Sequence, residues 1–166
     1  LLHQWANQIK QFTGHECLIF HGYKKKKISL KQLASSSIVL TTYNTIAINK
    51  KLVDQPSSNV LHQMPWDRVI FDEAHYLRNK NSLFYGATIT KRKITWLISG
   101  TPIQNRERDF RNMSSIVNPL YSGKNSNIPI LRRTKHAVGI ELTPPITHHI
   151  TVPWSNPDEL KLVKHT

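Results

Sequence analysis

Leu1, Leu2, Trp5, Ile9 and Phe12 recur at the spacing of one helical face, which predicts a first helix that ends at Thr13-Gly14. The apolar run Cys17-Leu18-Ile19-Phe20 predicts a short buried strand closed by His21-Gly22, with Cys17 as a core residue. Ser29 is placed to cap a helix through Leu33. Ile38-Val39-Leu40 predicts the next strand, with Thr41-Thr42 at its C-terminal end and a helix following through Leu52. Residues 54–65 are polar and contain Pro56 and Pro65, which predicts a loop. Trp66 to Phe71 predicts a third strand whose buried end is Val69-Ile70-Phe71, and Asp72-Glu73-Ala74-His75 follows at once. A helix over Ser82 to Thr90 and a strand over Ile94 to Ile98 come next, the strand broken by Ser99-Gly100-Thr101-Pro102. Arg106 to Val117 reads as a charged helix, 118–130 as irregular and Pro144-Pro145 as a linker. Ile146 to Val152 alternates like a strand, and Asn156-Pro157-Asp158-Glu159 opens a last helix.

Strands therefore alternate with helical segments, the pattern of an α/β fold with a parallel sheet. In such sheets ligands bind beyond the C-terminal strand ends. Asp72–His75 and Ser99–Pro102 both fall there.

Composition narrows the class. The chain has 166 residues, 23 Lys+Arg against 10 Asp+Glu and a formal net charge of +13. No apolar run approaches the ~18 residues that span a membrane, and no secretory leader is expected. A single cysteine excludes a disulfide framework and a multi-Cys zinc site, and fits a reducing compartment. Residues 1–53 carry eight lysines against one acid, Glu16, with Lys24 to Lys27 unbroken. Such an excess suits a polyanion, nucleic acid first, and equally describes a solvated lysine-rich face. The Lys24–Lys27 run fits a nuclear import signal, a DNA-backbone contact or a solvated loop alike. His148-His149 make a poor metal pair, because adjacent strand residues face opposite sides.

Two segments carry chemistry. Strand Val69-Ile70-Phe71 delivers two adjacent carboxylates, Asp72 and Glu73, to a sheet edge. The first can hold Mg²⁺, directly or through water, and the second can orient or deprotonate a water attacking a γ-phosphate. Taken alone, the pair also fits an exposed acidic loop or a helix N-terminus; His75 two residues on favours the catalytic reading. Ser99-Gly100-Thr101 places small and hydroxyl residues where a phosphate or those carboxylates can approach, with Gln104 and Asn105 in reach of a cleft. An ordinary turn with Pro102 at its corner is the competing reading.

These segments resemble, in order, the motifs of the SNF2-type ATPases, the double-stranded-DNA translocases of helicase superfamily 2. Leu1-Leu2-His3-Gln4-Trp5 is similar to the end of motif Ia, and Ile38-Val39-Leu40-Thr41-Thr42-Tyr43 to motif Ib. Trp66-Asp67-Arg68-Val69-Ile70-Phe71-Asp72-Glu73-Ala74-His75 with Leu77-Arg78-Asn79 resembles motif II. Ser99-Gly100-Thr101-Pro102-Ile103-Gln104-Asn105 resembles motif III, the most specific of them. DEAH-box RNA helicases share motif II but carry Ser-Ala-Thr at motif III. The motif II phrasing is most similar to the Rad5/Rad16 and transcription-termination-factor-2 branch, and the viral global transactivators belong to the same broad family.

The resemblance implies a RecA-like parallel sheet flanked by helices, the first lobe of a P-loop NTPase lacking its P-loop strand, over residues 1–130. Residues 131–166, with Leu131-Arg132-Arg133-Thr134-Lys135, would be the linker and the start of the second lobe. It implies Asp72 as the Mg²⁺ ligand of MgATP and Glu73 as the residue positioning water, with His75 linking the nucleotide to motif III. Ser99, Gly100, Thr101 and Gln104 would couple nucleotide state to lobe movement, and Thr41 and Thr42 would touch DNA phosphates, contacts that position without reading sequence. The implied cofactors are ATP and Mg²⁺. The implied partners are duplex DNA, the second lobe of the same chain and chromatin or the transcription machinery, in the nucleus or at a viral replication site there.

Two departures bear on activity. No G-x-x-x-x-G-K-[ST] occurs, and the chain begins where the family has just passed that loop. The second lobe's arginine finger is likewise outside these residues, so the 166 residues alone are expected not to hydrolyse ATP. Only 106–130 separate motif III from Leu131, a stretch the family normally has longer, as a compact viral form, a deletion or a decayed copy would show. A non-catalytic DNA- or partner-binding remnant is the alternative function.

Overall fold

The computed structural model describes residues 1–101, 107–122, 129–134, 136–139 and 146–150. Gln104, Lys135, Pro144-Pro145 and the helix expected at Asn156 lie outside the described residues. The chain divides into two units, Leu1–Ile128 and Pro129–Thr166.

The first unit begins with α1, Leu2–Thr13, which ends on Gly14 in the left-handed region (φ 73), the conformation glycine adopts without a Cβ penalty. None of its residues is buried. Strand β1 (Leu18–Ile19) pairs in parallel with β2 (Val39–Leu40). Between them α2 (Leu30–Ser35) is closed by the expected cap: Gln32 N–H donates to Ser29 Oγ, and Gln32 Oε1 accepts from Ser29 N–H. Leu33, on this helix, is among the most deeply buried side chains.

The helix expected through Leu52 is only one turn, α3 (Tyr43–Ile46). Ala47 leaves it with ψ 137, and Ile48 N–H donates to Ser82 O at 3.0 Å instead of continuing the helix. Packing against another segment here wins over local propensity. The expected loop 54–65 contains a short helix, α4 (Val60–Gln63), capped by Asn59. Its His62 is buried, with Nε2 on Ile46 O at 2.9 Å and Nδ1 on Ser57 Oγ at 2.7 Å. Cys17 sits one residue ahead of β1 and is half-buried rather than in the core.

Strand β3 (Trp66–Phe71) pairs in parallel with β4 (Arg92–Leu97), Phe71 opposite Leu97. Helices α5 (Ser82–Ile89) and α6 (Glu107–Val117) pack beside them. The core lies between this pair and the helices: Phe71, Ala74, Leu77, Phe84, Ala87, Met113 and Ile116 are all buried. Burial of each large side chain contributes about 1.5–3 kcal/mol. The expected buried end of β3 holds for Phe71, with Val69 partly buried against the core, whereas Ile70 is 51% exposed. Ile70 faces the opposite side of the pleat with its cross-strand partner Trp96, also half exposed. Among the described residues the strands form these two parallel pairs rather than one continuous sheet.

Arg92 ties β4 to both helices. Its Nε donates to Thr95 Oγ1, one terminal nitrogen to Ala87 O and Thr90 O, and the other to Ile116 O. A cation at the C-terminal carbonyls of α5 and α6 is favoured by their dipoles. No helix among the described residues is long and apolar enough to cross a membrane.

In the second unit the strand expected over Ile146–Val152 is not formed at 146–150. Ile146 and Ile150 are 83% and 81% exposed. Alternation alone does not make a strand without a partner to accept its hydrogen bonds. A 3-10 turn at His136–Val138 is followed by Gly139 at φ 70.

Candidate functional site at the C-terminal strand ends

Strand β3 ends at Phe71 and releases Asp72 and Glu73 directly onto the sheet edge. Glu73 occupies the left-handed region (φ 50, ψ 47), the one non-glycine among the described residues with positive φ. That conformation costs on the order of 1–2 kcal/mol. What holds it is the 3-10 turn behind it, Ala74–Leu77, whose first and last residues are 1% and 0% exposed. In a 3-10 turn residues three apart share a face, so Ala74 and Leu77 anchor the turn while Glu73 and Tyr76 are exposed and His75 is half-buried.

The second anchor is a backbone bond between the two motifs. Ala74 N–H donates to Ile98 O at 2.8 Å, and Ile98 N–H donates to Phe71 O at 3.0 Å. Asp72–His75 and Ser99–Thr101 are thereby fixed side by side at the ends of neighbouring parallel strands. Thr101 N–H donates to Ser99 Oγ at 3.2 Å, closing the turn. A Cβ at Gly100 would meet nothing within 4 Å, so space is open above it. Gln104 lies outside the described residues.

The carboxylates differ in surroundings. Asp72 accepts Glu73 N–H at 3.0 Å, and among the described residues it has no ion pair, so carboxylate oxygen remains for a hard cation. Mg²⁺ is held in this way, by one or two carboxylates completed by substrate phosphates, and the donors at this edge fit it. Glu73 Oε2 lies 3.0 Å from His75 Nδ1. The two are not aligned as a hydrogen bond, and Nδ1 is buried without one.

Tyr43, at the start of α3, reaches this edge from the other strand pair. Its hydroxyl donates to Asp72 O at 2.6 Å across 29 positions of sequence. Its ring stacks on Phe71 at 6.1 Å and leans on Tyr76 at 5.9 Å. Burial, then the nearby carboxylates of Asp72 and Glu73, push the phenol well above its ordinary range, so it stays a donor. The motif Ib resemblance ends on this residue and gives it no role. Its only signal was an aromatic directly after Thr41-Thr42.

The paired threonines have separate tasks. Thr41 Oγ1 donates to Phe20 O at 2.8 Å and locks the end of β2 to the end of β1. Thr42 Oγ1 lies 3.3 Å from His21 Nδ1 and 3.1 Å from Thr45 Oγ1. His21 is a further polar group at this edge that the sequence reading used only as a strand stop.

Residues 1–128 match the SNF2-related domain. The chain is 35% identical over 131 residues to an ATP-dependent helicase of Schizosaccharomyces pombe, covering 68% of this chain and 13% of the relative. It is 34% identical over 113 residues to transcription termination factor 2 of Drosophila melanogaster, covering 66% and 10%. Among solved structures it is similar to the Sulfolobus solfataricus SWI2/SNF2 ATPase core in complex with dsDNA, with a TM-score of 0.57 and 25% identity over 71% of this chain and 23% of that one. The chain thus spans between about a tenth and a fifth of the curated relatives it matches. With motif II and Ser99-Gly100-Thr101 at the ends of parallel strands in a RecA-like α/β fold, and with that match running from Leu1 to Ile128, the chain belongs to the SNF2-related domain family.

Proposed function

We propose that this chain is the water- and metal-facing part of the first ATPase lobe of a double-stranded-DNA translocase, acting within a longer protein. The observation that carries the reading is the Ala74–Ile98 backbone bond, which sets Asp72-Glu73 beside Ser99-Gly100-Thr101. Asp72 would hold the Mg²⁺ of MgATP, whose charge neutralises the phosphate oxygens. Glu73 would orient or deprotonate the attacking water, and its strained backbone fixes where that carboxylate points. His75, next to Glu73, would carry the state of that carboxylate toward motif III, where Ser99, Gly100, Thr101 and Gln104 would sense it. Tyr43 would pass movement at Asp72 to Thr41 and Thr42, the residues proposed to meet DNA phosphates. Residues 131–166 would lead into the second lobe, which supplies the remaining charge on the phosphates.

The phosphate-cradling loop does not occur within the 166 residues, so the reading assigns turnover to the longer protein. Relatives named for chromatin regulation and for DNA repair support a nuclear setting and a chromatin or repair substrate. The test is ATP hydrolysis by the longer protein with duplex DNA, with RNA and with neither. Duplex-specific stimulation supports the reading; stimulation by RNA alone refutes it.

A further inference from the structure

A second charged feature lies away from the nucleotide edge. Lys80, Thr88, Arg108, Arg111, Asn112 and Ser115 line an open recess of about 390 Å³ between α5, α6 and the loop after motif II. On α6 the positions 108, 111 and 115 are spaced three and four apart, so they share one face. The wall is rigid. Asn112 Nδ2 donates to Arg78 O at 2.7 Å, Ser115 Oγ to Asn112 O at 2.6 Å and Thr88 Oγ1 to Phe84 O at 2.9 Å. Lys80 Nζ is held 6.0 Å from the centre of the Phe84 ring. None of the lining residues is acidic, and among the described residues none of the three cations is in an ion pair.

The recess is separate from the edge that carries Thr41 and Thr42. Gly86 of α5 packs on the backbone of Ile46 in α3. Thr88, two residues later, is turned about 200° around the helix at ~100° per residue. The recess therefore opens on the face of α5 opposite α3.

We propose that this recess is a second backbone-binding site for duplex DNA, distinct from the contact made by Thr41 and Thr42. The proposal rests on the DNA-translocase reading. Three cations around a recess with no acidic side chain match a phosphodiester backbone, which needs positioned charge and no base readout. The lining has no aromatic or large aliphatic side chain to anchor a peptide. A space of about 390 Å³ exceeds a single inorganic ion. Bound there, a duplex would meet the first lobe on a face other than the one that carries Thr41 and Thr42.

The experiment is duplex binding by the full-length protein across a salt series, using a labelled duplex of arbitrary sequence. The combined Lys80→Gln, Arg108→Gln and Arg111→Gln variant is expected to flatten the slope of log affinity against log salt by about 2–3, about one per lost contact. Arg108→Lys with Arg111→Lys keeps the charge and is expected to keep the slope. Single replacements, each lowering the slope by about one, carry the test if the triple variant unfolds. An unchanged slope in the triple variant, with binding weakened by Thr42→Ala, overturns the recess and leaves the translocase reading standing. An unchanged duplex slope with lost binding of a polyglutamate peptide also overturns it, assigning the recess to an acidic protein segment. Absence of salt-dependent duplex binding in the unaltered protein defeats the recess and the translocase reading together.

Discussion

Tyr43 donates a 2.6 Å hydrogen bond to the backbone carbonyl of Asp72, joining the segment after β2 to the acidic motif after β3. The bond links the two strand pairs at the end where the candidate chemistry sits. Removing the hydroxyl while keeping the ring isolates it. Tyr43→Phe is expected to cost about 1–2 kcal/mol, read as a fall of a few degrees in thermal midpoint. In the longer protein it should lower stimulation of ATP turnover by duplex DNA more than unstimulated turnover. Equal effects on both rates would show that the bond only supports the fold.

Gly86 sits in the middle of α5, where alanine would raise helix propensity by about 1 kcal/mol. A Cβ there would overlap the carbonyl of Ile46, whose backbone lies directly against the helix. The clash is with main chain and cannot be relieved by a rotamer change. Gly86→Ala is therefore expected to destabilise the chain by about 2 kcal/mol, measured by denaturant unfolding. A stabilised variant would contradict the packing of α3 on α5.

His62 gives the fold a pH dependence. Burial holds its imidazolium below the ordinary value of 6.5, against a smaller opposing pull from the Ile46 carbonyl. The unfolded chain then binds the proton more readily than the folded one, so stability is full above about pH 6.5 and falls as pH drops below it. The thermal midpoint should decline between pH 7 and pH 5.5, and His62→Gln, less stable at pH 7, should show a shallower decline. An equally steep decline in the variant would place the titrating group elsewhere.

Much of the site was legible because strands deliver neighbouring residues to known places. The run Trp66–Phe71 is bounded at both ends by its own pattern, which by itself puts Asp72 and Glu73 at a sheet edge. The Ser29 cap and the Gly14 stop were equally local and equally readable. What the pattern did not reveal depends on distant partners. The α3 helix stops early because Ile48 bonds to Ser82, and Tyr43 matters because it meets Asp72 29 positions away. Ile70 reads as buried from its neighbours, yet the side of the pleat it shares with Trp96 is half exposed. The alternation at 146–150 meets no pairing strand among the described residues.

The central claim is that Glu73 positions or activates the attacking water, and Glu73→Gln in the longer protein tests it most directly. Glutamine keeps the shape and removes the basic oxygen, so ATP binding should persist while duplex-stimulated hydrolysis falls by about 10²–10⁴-fold. Hydrolysis within a few-fold of the unaltered protein, with duplex stimulation intact, would contradict it.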